Sequence, residues 1–139
     1  MIVSRVVDSH DDKPRIRLRL FAMKISAGPP APAEDYVEDR IDLSEYLTPR
    51  PEKSFLVRVE GESMIDAGIN PGDLLVVERD IEPKNGDVVI AQIAGQFTVK
   101  RFRCCSGSLW LVPANSSYPP PKHEDFSVWG IVKYSIHKL

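Results

Sequence analysis

The chain has 139 residues, 42% of them hydrophobic and 27% charged. On a prior of roughly 100–200 residues per domain, that excludes a large multidomain enzyme and fits one globular domain with a modest tail. A net charge of -2 argues against a dedicated nucleic-acid binder, whose phosphate contacts demand a basic face. No apolar run approaches the ~20 residues of a bilayer span and the N-terminus lacks a signal peptide's h-region, so a cytoplasmic protein without membrane attachment is expected.

Residues 1–30 carry six Lys/Arg against three Asp, residues 31–62 four against nine acidic side chains, and residues 63–139 eight of each. The basic stretch alternates charge and apolarity from Arg15 to Phe21, the period-2 signature of an edge strand. Ala27-Gly28-Pro29-Pro30-Ala31-Pro32 follows, where successive prolines fix φ and remove backbone donors, predicting an open linker. The acidic segment Glu34 to Leu47 sets Tyr36, Val37, Ile41, Leu43, Tyr46 and Leu47 among charges and predicts a short helix, stopped by Pro49 and Pro51.

From Phe55 onward the chain reads as short strands between turn signals, the pattern of an all-β sandwich or barrel. The predicted strands are 55–60, 74–78, 87–93, 96–102, 109–112 and 128–137, the last with a break at Gly130. Asn70-Pro71-Gly72-Asp73, Pro83-Lys84-Asn85-Gly86 and Ala94-Gly95 supply Pro or Gly at the bends, and residues 117–121 form a proline-rich loop. Adjacent Cys104 and Cys105 cannot make a disulfide framework and lack the spaced partners of a zinc site, so reduced thiols are expected. His10, His123 and His137 are scattered and suggest no metal site, and Trp110, Tyr118 and Trp129 read as packing residues with no cofactor implied.

Ser63 stands where a strand ends in a Gly-bounded turn, beside backbone N–H groups not committed to a ladder. Such a place suits a nucleophile, because free amides can hold an oxyanion, but a serine in a turn is commonly just solvated. In Gln96 to Phe102, alternation puts Phe97, Val99 and Arg101 on one face and Thr98, Lys100 and Phe102 on the other. Lys100 then has two readings: a solvated strand charge, or a desolvated general base whose amine is neutral. Alternation alone does not choose between them.

The runs Gly61 to Ile69, Gly72 to Val77, Gly86 to Ala91 and Gly95 to Arg101 closely resemble the self-cleaving LexA/UmuD superfamily. Ala33 to Leu43 resembles the stretch that follows the cleavage site in UmuD-type members, and Ala27-Gly28 stands where the family has its scissile Ala-Gly or Cys-Gly bond. The resemblance covers roughly residues 27–139, and the 37-residue spacing from Ser63 to Lys100 agrees with its pattern. Glu62 replaces the more frequent Asp before the nucleophile, and the first 24 or so residues show little likeness to the family's arms.

This resemblance implies a mainly β fold of strongly bent sheets, with residues 1–30 as an N-terminal arm containing the cleavage site and residues 31–139 as a Ser-Lys peptidase domain. It implies Ser63 as nucleophile, Lys100 as base, and the backbone N–H groups of Ser63 and Met64 as the oxyanion hole, although Met64 has an equally simple reading as a core residue. It implies cleavage of the chain's own Ala27–Gly28 bond, where two small residues suit a tight cleft, against the plain reading of Ala-Gly-Pro-Pro as a linker. Only 26 residues precede Ala27 and they read as an extended arm, so a repressor's helix-turn-helix domain and sequence-specific DNA binding are not expected. The UmuD-like role that remains is that of an SOS-response protein stimulated by a RecA filament on single-stranded DNA. Its cut homodimer would join a UmuC-like error-prone translesion polymerase. The alternative is a non-catalytic polymerase-binding or checkpoint module whose arm is never cut.

Overall fold

The computed structural model describes residues 3–5, 16–21, 25, 27–30, 37–118 and 125–139. The expectations that fall on His10, Arg15, residues 31–36, residues 119–121 and His123 lie outside the described residues. Two compact units are present: one gathers strand β1 (Val3–Arg5) with Arg50–Leu139, and the other lies within His10–Pro49.

In the second unit, β2 (Arg17–Phe21) pairs antiparallel with β3 (Val37–Asp42), from Arg17 opposite Asp42 to Phe21 opposite Val37. The short helix expected within 34–47 is α1 (Leu43–Leu47), at the end of that segment before Pro49, while residues 37–42 form β3 against β2. The Asp42 carboxylate accepts the Glu45 N–H at 3.2 Å, satisfying an orphan donor of the first turn. Thr48 closes the helix by donating its N–H to the Ser44 carbonyl at 2.9 Å, and Pro49 follows.

The other unit holds a seven-stranded antiparallel sheet in the order β1-β4-β5-β9-β6-β7-β8. Its strands are β4 (Ser54–Arg58), β5 (Leu74–Glu78), β6 (Val88–Ile93), β7 (Gln96–Cys105), β8 (Ser108–Val112) and β9 (Ser127–Ile136). The fold is mainly β, as expected. Ala94-Gly95 and Ser106-Gly107 each place two consecutive residues at positive φ, the two-residue hairpin geometry whose twist matches the flanking strands. The second of these turns lets β7 run three residues past its predicted end.

β9 is the bent centre of the sheet. Its first half pairs with β6 and its second with β5, and the register slips once in each pairing, between Ile90 and Ala91 and between Val76 and Val77. A bulge bends the strand that carries it. The break expected at Gly130 is therefore a bulge inside a continuous strand. Gly130 is required there by contact: a Cβ would lie 2.6 Å from Val77 Cγ1 and 3.2 Å from the Glu78 carbonyl.

Strand β6 is buried on both faces and so reads as a continuous apolar run. Ile90 packs with Val57, Val59, Met64, Ile69, Leu75, Val77 and Val99, while Val89 and Ala91 pack with Phe102, Leu111 and Ile131. Each fully buried aliphatic side chain contributes about 1.5–3 kcal/mol. Trp129 packs between Phe55 and Phe97, at ring-centroid distances of 5.4 and 5.9 Å, and the Arg79 guanidinium lies 4.5 Å over its ring. Trp129 is thus a packing residue, as expected.

Candidate active site

Ser63 lies in the turn 61–64 between β4 and β5, ahead of a single 3₁₀ turn, Ile65–Ala67. That turn is closed locally: the Met64 carbonyl accepts the N–H groups of Ala67 and Ile69 at 3.1 and 3.2 Å. Met64 is 2% exposed and packs in the core, so it anchors the turn beside Ser63. Among the described residues, neither the Ser63 nor the Met64 N–H donates a hydrogen bond.

Lys100 sits in the middle of β7, opposite Val89 of β6. Its Nζ is 3.2 Å from Ser63 Oγ, 2.8 Å from Thr98 Oγ1 and 3.0 Å from the Val99 carbonyl oxygen. Burial holds the amine below the usual lysine range, because the charged form is the one that loses hydration. A neutral amine has two protons and one lone pair. Donating the protons to Thr98 Oγ1 and the Val99 carbonyl leaves the lone pair for the Ser63 hydroxyl proton, the arrangement general-base chemistry needs. Alternation along β7 places Thr98 on the same face as Lys100, but nothing in the sequence marks it as the partner of the amine.

A second segment completes the site. Strand β8 ends at Val112, opposite Arg101, so the chain leaving it starts one residue from Lys100 in the register of β7. Residues 114–116 then bind the Ser63 turn by four contacts. The Asp66 N–H donates to the Ala114 carbonyl at 2.7 Å, the Ser116 N–H donates to Asp66 Oδ2 at 3.0 Å, Asn115 Nδ2 donates to the Glu62 carbonyl at 2.7 Å, and the Ala114 N–H donates to Met64 Sδ at 3.4 Å. Sequence reasoning does not find Asn115 or Asp66, since about fifty residues of chain separate the two segments and no local pattern signals their meeting.

Ala27 and Gly28 are exposed residues of the other compact unit. His137 follows β9: its Nδ1 is 2.7 Å from Oδ1 of buried Asp73, whose Oδ2 accepts from Ser135 Oγ and the Asn70 N–H, each at 2.9 Å. Among the described residues no group of three or more His, Cys, Asp or Glu is placed to hold a metal ion, and Cys104 and Cys105 are exposed free thiols. No helix is long and apolar enough to cross a membrane among the described residues.

Comparison with known proteins agrees with this architecture. The Peptidase S24-like family model matches residues 19–133. Protein SamA of Salmonella typhimurium is 42% identical over 119 residues, covering 86% of this chain and 84% of its own. Protein ImpA of Escherichia coli is 41% identical over 143 residues, covering 99% and 94% respectively. A LexA repressor of Mycolicibacterium vanbaalenii is 38% identical over 138 residues, covering 99% of this chain but 59% of the repressor.

Proposed function

The chain belongs to the Peptidase S24-like family, the self-cleaving LexA/UmuD group, and on that premise we propose that it is a UmuD-like autoproteolytic serine endopeptidase acting in the SOS response. The observation that carries this reading is the 3.2 Å approach of Lys100 Nζ to Ser63 Oγ by an amine that burial makes easier to deprotonate.

In the proposed reaction, neutral Lys100 takes the proton of the Ser63 hydroxyl as Oγ attacks the Ala27 carbonyl carbon. The oxygen of the tetrahedral intermediate becomes an anion and accepts the N–H groups of Ser63 and Met64. Collapse breaks the Ala27–Gly28 bond, and Lys100 returns the proton to the departing Gly28 amine. Lys100 then deprotonates a water that attacks the acyl-enzyme, freeing the Ala27 carboxylate and regenerating Ser63. The amides, unpartnered among the described residues, and the anchored turn support these assignments, because a donor that is already oriented requires no reorganisation when charge appears.

The biological setting proposed is cytoplasmic. A RecA filament on single-stranded DNA stimulates the cut, and the shortened homodimer serves as a subunit of a UmuC-like translesion polymerase. No cofactor, metal, membrane or sequence-specific DNA contact is required by this reading. Incubation of the full chain at alkaline pH, and separately with RecA filaments, tests it by mass spectrometry: a fragment beginning at Gly28 is expected. An intact chain under both conditions would favour the non-catalytic polymerase-binding module instead.

A further inference from the structure

The Ser63 turn is held from outside by one buried side chain. Asn115 is 8% exposed, its Nδ2 donates to the Glu62 carbonyl at 2.7 Å, and its Oδ1 accepts the Ser117 N–H at 2.9 Å, so both ends of its carboxamide are engaged. The Glu62 carbonyl belongs to the same peptide unit as the Ser63 N–H. In a trans peptide plane the C=O and the following N–H point in opposite directions, so a donor that grips the oxygen also aims the hydrogen. Among the described residues the one other bond to that carbonyl, from the Ile65 N–H, is longer at 3.3 Å and comes from within the same turn. It cannot fix the turn against the rest of the protein.

The other contacts point the same way. Asp66 and Ala114 cross-link the far end of the turn to residues 114–116, and Ala114 touches Met64, so the peptide between Ser63 and Met64 lies between two tethered ends. The tethering segment itself leaves β8 opposite Arg101, beside the strand position of Lys100. One short segment thus sets the amides near Ser63 in the frame of β7.

We propose that Asn115 is a positioning residue that aims the Ser63 N–H at the developing oxyanion, an inference that rests on reading Ser63 as the nucleophile. Removing its donor leaves the Ser63–Lys100 contact in place but lets the Glu62–Ser63 peptide rotate. Loss of one oxyanion donor costs about 10²–10³ in rate, and misalignment of one costs on the order of tenfold or more.

The test compares self-cleavage of the full-length Asn115→Ala chain with that of the unsubstituted chain across the alkaline range, at a temperature where circular dichroism shows both folded. The expected result is a rate at least about tenfold lower at every pH, with the pH of half-maximal rate unchanged, because the contacts of Lys100 are untouched. An undiminished rate in the folded variant overturns the inference. A displaced half-maximal pH also overturns it, since Asn115 would then act through the amine. Should Asn115→Ala not fold, Asn115→Asp keeps an acceptor for the Ser117 N–H and sets a charged oxygen in place of the donor opposite the Glu62 carbonyl; a rate at least about tenfold lower in that folded variant supports the inference and an undiminished rate overturns it. If the unsubstituted chain is not cut, or Ser63→Ala is cut equally fast, the peptidase reading itself falls, and this inference with it.

Discussion

Lys100 Nζ and Ser63 Oγ lie 3.2 Å apart although 37 residues of chain separate them. The contact joins the middle of a strand to a turn at the end of another, so neither residue needs its partner to be locally well formed. Ser63→Ala is accordingly expected to abolish cleavage while leaving the urea midpoint nearly unchanged, because a half-buried turn hydroxyl contributes little packing.

An ordinary lysine titrates near ~10.4, and burial moves Lys100 downward from there. The neutral, reactive fraction therefore grows as pH rises, and the spontaneous cleavage rate should climb from about pH 7 toward pH 10 and level off below the usual lysine value. Lys100→Met should be uncut at every pH. A flat profile, followed by gel densitometry, would point to a different base.

Thr98 accepts one proton of the Lys100 amine at 2.8 Å. Thr98→Val keeps the branched shape and removes that acceptor, which favours the charged form less and leaves the lone pair less well aimed. The expected outcome is a lower maximal rate, on the order of tenfold, reached at a lower pH than in the unsubstituted chain. The shift in the pH profile separates this role from simple loss of stability.

Gly28 has no side chain, and a branched one there would have to enter whatever cleft receives the Ala27–Gly28 peptide. Gly28→Val should leave the chain uncut with Ser63 and Lys100 intact, while the same protein should cut a separate Ser63→Ala chain bearing the native arm if arms exchange between molecules. Cleavage of the Gly28→Val arm at the original bond, read by mass spectrometry, would show that the scissile site lies elsewhere.

Gly130 faces Val77 too closely for any side chain. Gly130→Ala should destabilise the protein by about 1–3 kcal/mol through overpacking, measured as a fall in the urea midpoint at constant slope.

Burial alone would raise the Asp73 carboxyl, but the Asn70 N–H, His137 and Ser135 outweigh it and hold the group below the ordinary carboxylate range. A carboxyl depressed in the folded state contributes stability that is present above its unfolded value of ~3.9 and lost as pH falls through the folded one. Asp73→Asn should therefore cost about 1.5–3 kcal/mol at neutral pH and should flatten the loss of stability below pH ~4, as seen in denaturant titrations across that range.

Turn chemistry and alternation are properties of adjacent residues, which is why the strands from residue 54 to 136 stand within a few residues of their expected bounds and Leu74–Glu78 coincides with them. The short helix expected within 34–47 forms at Leu43–Leu47, and the residues before it show where local reasoning stops. The charge-rich residues 37–42 form a strand because β2 is there to pair with them, and a partner some twenty residues away leaves no trace in the segment's own pattern. β1 is three residues long, too short for any period to be read, and it joins the sheet only through its register with β4.

By itself the sequence determined the class of the fold, the places where the chain turns, and the family to which its Ser63 and Lys100 runs belong. It did not determine whether Lys100 is a solvated charge or a half-buried amine, since both have the same alternation along a strand. The tertiary structure decided that by setting Ser63, Thr98 and the Val99 carbonyl around Nζ, and it alone brought Asn115 and Asp66 to the Ser63 turn. Hydration of an amine and the aim of a peptide N–H depend on what other parts of the chain exclude water or supply a partner, and those parts are defined only once the sheet has closed around them.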